Sequence, residues 1–177
     1  DTKYIIFGAN KEEVITNAAA FGPAWFTPTV KQVNSADEEL EETTTSLLRT
    51  TAVVDVSKFP LGQSTYGSGT VKLVKSDLKK MEYKTSSTDG GLVVFSEIYY
   101  PKGWTATIDG EPADIKRANF ILRALEVPAG EHEIIFEFRP QPYYTGNIIM
   151  LICSLLIIAG LSTAVIRNVR ATQPQAA

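Results

Sequence analysis

Hydrophobic and polar residues along this chain follow three different rhythms. The last part carries an unbroken apolar run, Ile148 to Ile166, nineteen residues without a charge. As a helix it would span about 28 Å, close to the hydrocarbon thickness of a bilayer. A buried core helix is the alternative, but such a helix normally shows a polar face, and only Ser154, Ser162 and Thr163 interrupt this one. Arg167 and Arg170 follow at once, which predicts a cytoplasmic C-terminus and an external head. The expected division is a β-rich extracytoplasmic domain over 1–145, a transmembrane helix over 146–167 and a cytoplasmic tail over 168–177.

Before the run, alternation of apolar and polar positions dominates, and it predicts strands. Strands are expected at Tyr4–Phe7, Ala52–Val56, Thr70–Val74, Lys79–Thr85, Ala118–Glu126 and 131–138. Ala24–Val33 is extended too, and Pro28 makes it an edge strand or a bend. Leu92–Tyr100 opens apolar on both faces, the mark of a central strand. Residues 86–91 read as a turn and 62–69 as a mobile loop. Asp109-Gly110 between two extended runs predicts a type I′ hairpin.

Helical rhythm appears twice. Asn10 with Glu13 resembles a capping box opening a helix that Gly22 and Pro23 stop. Ser35 with Glu38 is a second box, opening an acidic helix through DEELEETTTSLL whose carboxylates suit a helix N-terminus. Eight to ten short strands and two short helices predict a mainly β fold. The expected architecture is an antiparallel β-sandwich (jelly-roll-like) with the helices at one edge or end, followed by one transmembrane helix.

Charge and cysteine narrow the class. All 20 acidic residues and all but two of the 17 basic ones precede the apolar run, so the head is mildly acidic. That gives no reason to expect nucleic acid as a partner. The single cysteine, Cys153, lies inside the run, so the head has no disulfide and no thiolate zinc site. The chain begins DTKYIIFGAN without Met or a signal peptide. It is expected to be either a mature chain or the last segment of a longer membrane protein.

No constellation in the sequence argues for catalysis. His132, the only histidine, sits in an alternating strand, where an outward or packed role outweighs that of a base. The acidic stretch lacks the rhythm of a calcium loop and reads as a solvated helix face. Ser76 and Lys79 form an isolated SxxK without companion motifs, and Gly67-Ser68-Gly69 is too short for a phosphate loop. No metal and no cofactor are expected.

One patch invites a binding role. Strand alternation puts Glu97 and Tyr99 on one face and Ile98 on the other. Over 117–123 it puts Arg117, Asn119, Ile121 and Arg123 together, with Phe120 and Leu122 opposite. Glu97, Tyr99, Trp104, Arg117 and Asn119 are therefore the candidate glycan-binding residues, because aromatic rings stack on the apolar face of a pyranose. The competing reading makes the aromatics core anchors and pairs Glu97 with an arginine for structure.

The same residues carry a family resemblance. VVFSEIYYPKGWTATIDGEPADIKRANFILRALEVPAGEHEIIFEFRP, 93–140, resembles the C-terminal region of YfhO-like bacterial membrane proteins. The elements are Y-Y-P-x-G-W at Tyr99–Trp104, the Asp-Gly hairpin, R-A-N at Arg117–Asn119 and V-P-A-G-x-H at 127–132. NAAAFGPAWF, 17–26, is similar to a Gly-x-Ala-Trp-Phe segment of that family. The resemblance implies a polytopic parent similar to GT-C glycosyltransferases, which use polyprenyl-phosphate sugars outside the membrane. Its catalytic machinery would lie upstream, so no catalytic residue is carried over and the enzymatic status of this chain stays open. The implied role is an accessory module that binds or positions an envelope glycan or glycolipid acceptor, or braces an upstream transmembrane bundle. A non-enzymatic, membrane-anchored β-sandwich that binds glycan or protein is the alternative, and a purely structural domain is a third.

Overall fold

The computed structural model describes residues 3–8, 13–62 and 66–172. The chain divides into two units, Asp1–Arg139 and Pro140–Ala177.

The first unit is a sandwich with a third layer on one side. One sheet has five strands: β6 (Gly69–Asp77), β7 (Lys80–Ser87), β9 (Trp104–Ile108), β10 (Glu111–Ala113) and β13 (Gly130–Phe138), in the order β10-β9-β13-β7-β6. The second has four: β3 (Ala24–Thr27), β8 (Gly91–Ile98), β11 (Lys116–Ala118) and β12 (Leu122–Val127), in the order β11-β12-β8-β3. All pairings in both sheets are antiparallel. Phe26, Val93, Phe95 and Leu125 from the four-stranded sheet meet Tyr83, Ile134 and Phe136 from the other in one core. Tyr83, Phe95 and Phe136 form an edge-to-face trio, with centroids 4.8–6.1 Å apart.

β4 (Thr29–Val33) and β5 (Thr51–Asp55) form a parallel pair, joined by the crossover helix α1 (Ala36–Thr45). Ala52 and Val54 of β5 pack on Leu92, Val94 and Ala124, the other face of the four-stranded sheet. This explains why LVVF in β8 does not alternate. Val93 and Phe95 face one core, Leu92 and Val94 the other, and all four are fully buried. Pro28 stands where the chain leaves the sheet edge at β3 and enters β4, so both readings of its position hold.

The second capping box forms as expected. Ser35 Oγ accepts from Glu38 N at 3.2 Å, and Glu38 Oε2 accepts from Asn34 N at 3.0 Å, one residue earlier than the reciprocal bond usually falls. The Asp-Gly hairpin also forms, with φ of 52° at Asp109 and 87° at Gly110.

Three expectations change. Val14–Thr16 is not helical; it is strand β2, paired antiparallel with β1 (Tyr4–Ile6). Two β-branched pairs of partners in register, with Ile5 opposite Ile15, outweigh the N-terminal cap signal, and Asn10 itself lies outside the described residues. The stretch Ala118–Glu126 is not one strand. Asn119 and Phe120 take φ of 51° and 69° and reverse the chain between β11 and β12, so Arg117 pairs opposite Arg123. The turn spends left-handed backbone on a phenylalanine, which sequence rules disfavour. The acidic helix is not wholly solvated, since Glu39 is fully buried. The loop expected over 62–69 includes residues 63–65, which lie outside the described residues.

The second unit is the helix α2 (Gln141–Thr172). Its Gln141–Asn168 part is long and apolar enough to cross a membrane, and none of its most apolar window is buried. Ser154 and Ser162 donate to the carbonyls four residues back, at 2.8 and 2.7 Å, and Thr163 to Gly160 O at 2.8 Å. These hydroxyls therefore demand no water, which suits a lipid environment.

Candidate functional site

β8 ends at Ile98 and the chain runs through Tyr99–Gly103 into β9, turning at Gly103 with φ of 88°. A glycine meets that angle without the Cβ clash that other residues suffer. Tyr99 N donates to Ile121 O at 2.7 Å, which ties this loop to the β11–β12 turn. Tyr99, Tyr100, Pro101, Trp104, Asp114 and Ile115 line a cleft of about 250 Å³. That is near the lower end of ligand-pocket volumes, roughly 300 Å³, and suits a single ring rather than a large ligand.

Tyr99 and Trp104 each have a second ring against them. The Tyr99 ring stands edge-on to Phe59 at 5.2 Å, and Trp104 leans on Phe138 at 5.2 Å. The Arg123 guanidinium lies 4.1 Å from the Trp104 ring centroid, and its Nε donates to Ile98 O at 3.0 Å. Burial pulls the Arg123 pKa down, while the charge of half-buried Glu97 pulls it back up. Burial, and then the same Glu97 charge, push the Tyr83 phenol up to about 12. Glu97 thus acts electrostatically on the arginine behind Trp104.

Arg117 and Asn119 are committed elsewhere. Arg117 forms an ion pair with Glu39, with Phe59 and Phe120 rings each 5.4 Å from its guanidinium. Glu39 Oε1 also accepts from Phe120 N at 3.0 Å. Asn119 is only 3% exposed; its Oδ1 accepts from Val53 N at 2.9 Å and its N donates to Val53 O at 2.8 Å. These two residues clamp the β11–β12 turn onto α1 and β5. The structure therefore brings Tyr99 and Trp104 together in one cleft, keeps Glu97 out of its lining, and turns Arg117 and Asn119 into the supporting clamp. Phe59 belongs to both, touching Tyr99 on one side and Arg117 on the other.

Sequence reasoning did not single out Glu39, Phe59 or Asp114 for this region, and it put Arg123 on the face of Arg117 and Asn119 without making it a candidate. Arg123 had a signal, an arginine in a strand whose neighbours Ala124 and Leu125 are apolar. Phe59 had none, because its partners lie far along the chain.

A second cleft, about 460 Å³, is bounded by Asp109, Asp114, Lys116, Glu126, Pro128 and His132. Lys116 is buried and donates to Pro60 O at 2.6 Å and Asp114 Oδ2 at 3.1 Å. Glu126 accepts from Gly62 N and from the Tyr66 hydroxyl at 3.0 Å. Burial, helped by Glu126, raises the Tyr66 phenol far above its usual range. His132 Nδ1 lies 2.6 Å from Asp109 Oδ2, and Asp109 Oδ1 accepts from Glu133 N at 2.8 Å. The histidine thus locks the Asp-Gly hairpin to β13. Among the described residues, no three His, Cys, Asp or Glu side chains stand together as a metal site.

A mainly β head and an apolar helix of membrane-crossing length together define a membrane protein with a sandwich domain. A family model described as "Bacterial membrane protein YfhO" matches residues 33–150, more than half of the chain. The chain belongs to the YfhO family of bacterial membrane proteins. The match contains the whole 93–140 stretch and leaves out the 17–26 segment. No curated protein and no solved structure matches the chain.

Proposed function

We propose that the β head is an extracytoplasmic accessory module of a membrane glycosyltransferase-like protein of the cell envelope. In this reading it binds or positions a glycan or glycolipid acceptor and carries out no chemistry itself. α2 crosses the cytoplasmic membrane and leaves the C-terminus in the cytoplasm, with Arg167 just beyond the apolar run. The upstream transmembrane bundle of the same parent would hold the catalytic groups.

The observation that carries the reading is the Tyr99–Trp104 cleft. Two tyrosines and a tryptophan line a space of about one sugar ring, and Asp114, whose Oδ2 accepts from Lys116 Nζ, lines it too. Rings offer a flat apolar surface to the C–H face of a pyranose, and a carboxylate accepts from its hydroxyls. Arg123 and Phe138 hold Trp104 in place, so little ordering cost is left for binding. A weak site is enough here, because a tether to the membrane raises the effective concentration of a membrane-borne chain.

The experiment is to titrate the full chain in lipid nanodiscs with envelope oligosaccharides while following its tryptophan fluorescence. Saturable change that Tyr99→Ala abolishes supports the reading. No change with any oligosaccharide, in a protein whose circular dichroism is native, removes it.

A further inference from the structure

The last two residues of the first unit are bonded to two neighbouring turns. Phe138 N donates to Lys79 O at 2.8 Å, and Arg139 N donates to Gly103 O at 2.6 Å. Lys79 belongs to the β6–β7 turn, and Gly103 to the loop that carries Tyr100 and Lys102. The next residues in the chain are Pro140 and Gln141, where α2 begins. Those two turns therefore flank the point at which the chain leaves the sandwich for its membrane helix.

Leu78, at the tip of the β6–β7 turn, is 97% exposed, and Tyr100, next to Pro101 in the other loop, is exposed as well. A leucine with almost no protein contact stabilises nothing within the fold. The charges around it are of two kinds. Lys75, Lys80 and Arg139 each pair with a carboxylate, Asp77, Glu82 and Glu137, at 2.9, 2.7 and 2.8 Å. Lys79 and Lys102 have no carboxylate partner among the described residues. A head with an acidic surplus thus presents two spare positive charges, an exposed leucine and an exposed tyrosine around its exit point.

We infer that the β6–β7 turn and the Tyr100–Gly103 loop form a lipid-contact edge. Leu78 and Tyr100 enter the headgroup–acyl boundary, and Lys79 and Lys102 hold anionic lipid headgroups. Aromatic residues favour that boundary, and each lysine near an anionic leaflet is worth about fivefold in occupancy. The occupant is the lipid surface because the chain continues from this edge directly into a helix of bilayer length. The inference rests on α2 crossing a membrane and does not depend on glycan binding.

The test uses the full chain with Cys153→Ser, carrying a spin label introduced by Leu78→Cys or, as a control, by Thr88→Cys. Thr88 follows the far end of β7, about 26 Å along the strand. The proteins are placed in nanodiscs of phosphatidylcholine, with and without phosphatidylglycerol. Oxygen should relax the label at position 78 several-fold more than aqueous nickel does, with the reverse at position 88. Phosphatidylglycerol should strengthen the contrast, and Lys79→Glu with Lys102→Glu should cancel that gain. A label at position 78 as open to nickel as the one at 88, in both discs, overturns the inference. Protection at position 78 that ignores lipid charge overturns the headgroup assignment. Because both labelled positions are exposed, neither substitution threatens folding.

Discussion

Arg117 on β11 closes on Glu39 of α1, joining elements 78 residues apart in sequence, and the carboxylate is wholly buried. The other oxygen of the same carboxylate accepts from Phe120 N, in a turn whose backbone is left-handed. One side chain therefore answers two needs: it neutralises a guanidinium and satisfies an amide that the turn would otherwise orphan. Asn119 completes the clamp by bonding both backbone polar groups of Val53.

Breaking this clamp from one side should be costly. Glu39→Ala leaves a half-buried guanidinium and a buried amide without partners, and is expected to cost about 3 kcal/mol. Glu39→Gln should cost less, since its amide oxygen can still accept from Phe120 N. Replacing both Glu39 and Arg117 by leucine should recover part of the loss, because no charge is then left unpaired. Thermal melting of the four proteins by circular dichroism checks the order.

The two aromatics of the cleft should separate in their effects. Trp104 packs on Phe138, Arg123 and the sandwich core, so Trp104→Ala is expected to lower stability by about 3 kcal/mol. Tyr99 has one edge-on ring partner, and Tyr99→Ala should cost only about 1 kcal/mol while abolishing oligosaccharide binding. Equal destabilisation by both would make Tyr99 a core anchor and remove it as a ligand contact.

Much of this arrangement was legible in the sequence, and the limits have physical causes. Asp109-Gly110 and Ser35–Glu38 are local signals, complete within four residues, and both form. The double-sided burial of β8 was legible because a central strand needs apolar residues on successive positions. Asn119-Phe120 was not, since a left-handed phenylalanine is stabilised by Glu39, far away in the chain. The clamp hid the true roles of Arg117 and Asn119 for the same reason. Once the turn splits the strand, alternation no longer relates them to Arg123. The β1–β2 ribbon shows the reverse failure, where a convincing local cap loses to a pairing partner ten residues away.

The His132–Asp109 pair sets a pH dependence on the hairpin. The carboxylate beside it raises the His132 pKa above its ordinary 6.5, and the histidine holds Asp109 below its ordinary 3.8. A raised histidine contributes stability that is complete below 6.5 and is lost as pH rises through its folded value. A lowered aspartate contributes stability that is present above 3.8 and is lost as pH falls through its folded value. The pair therefore stabilises most at mildly acidic pH and weakens toward alkaline pH. Asn tolerates the left-handed backbone at this position, so Asp109→Asn removes the charge without removing the turn. It should return the His132 titration, followed by the imidazole proton resonances, toward 6.5. An unchanged titration would mean that the carboxylate does not set it.

The orientation of α2 can be tested through the residues that set it. Arg167 lies directly after the apolar run and Arg170 three residues later, and an excess of basic residues is retained on the cytoplasmic side. A fluorescent protein that matures only in the cytoplasm, fused after Ala177, should therefore be bright, and alkaline phosphatase at the same point inactive. Arg167→Glu with Arg170→Glu should lower the fluorescence, because the positive-inside bias is then gone. Leu156→Arg should act differently. An arginine near the centre of the span costs about 2.5–3.5 kcal/mol of insertion, so it should shift protein from the membrane fraction to the soluble one without reversing the reporter. Phosphatase activity in the unmodified chain would place the C-terminus outside, and the head would then lie in the cytoplasm, beyond the reach of any envelope glycan.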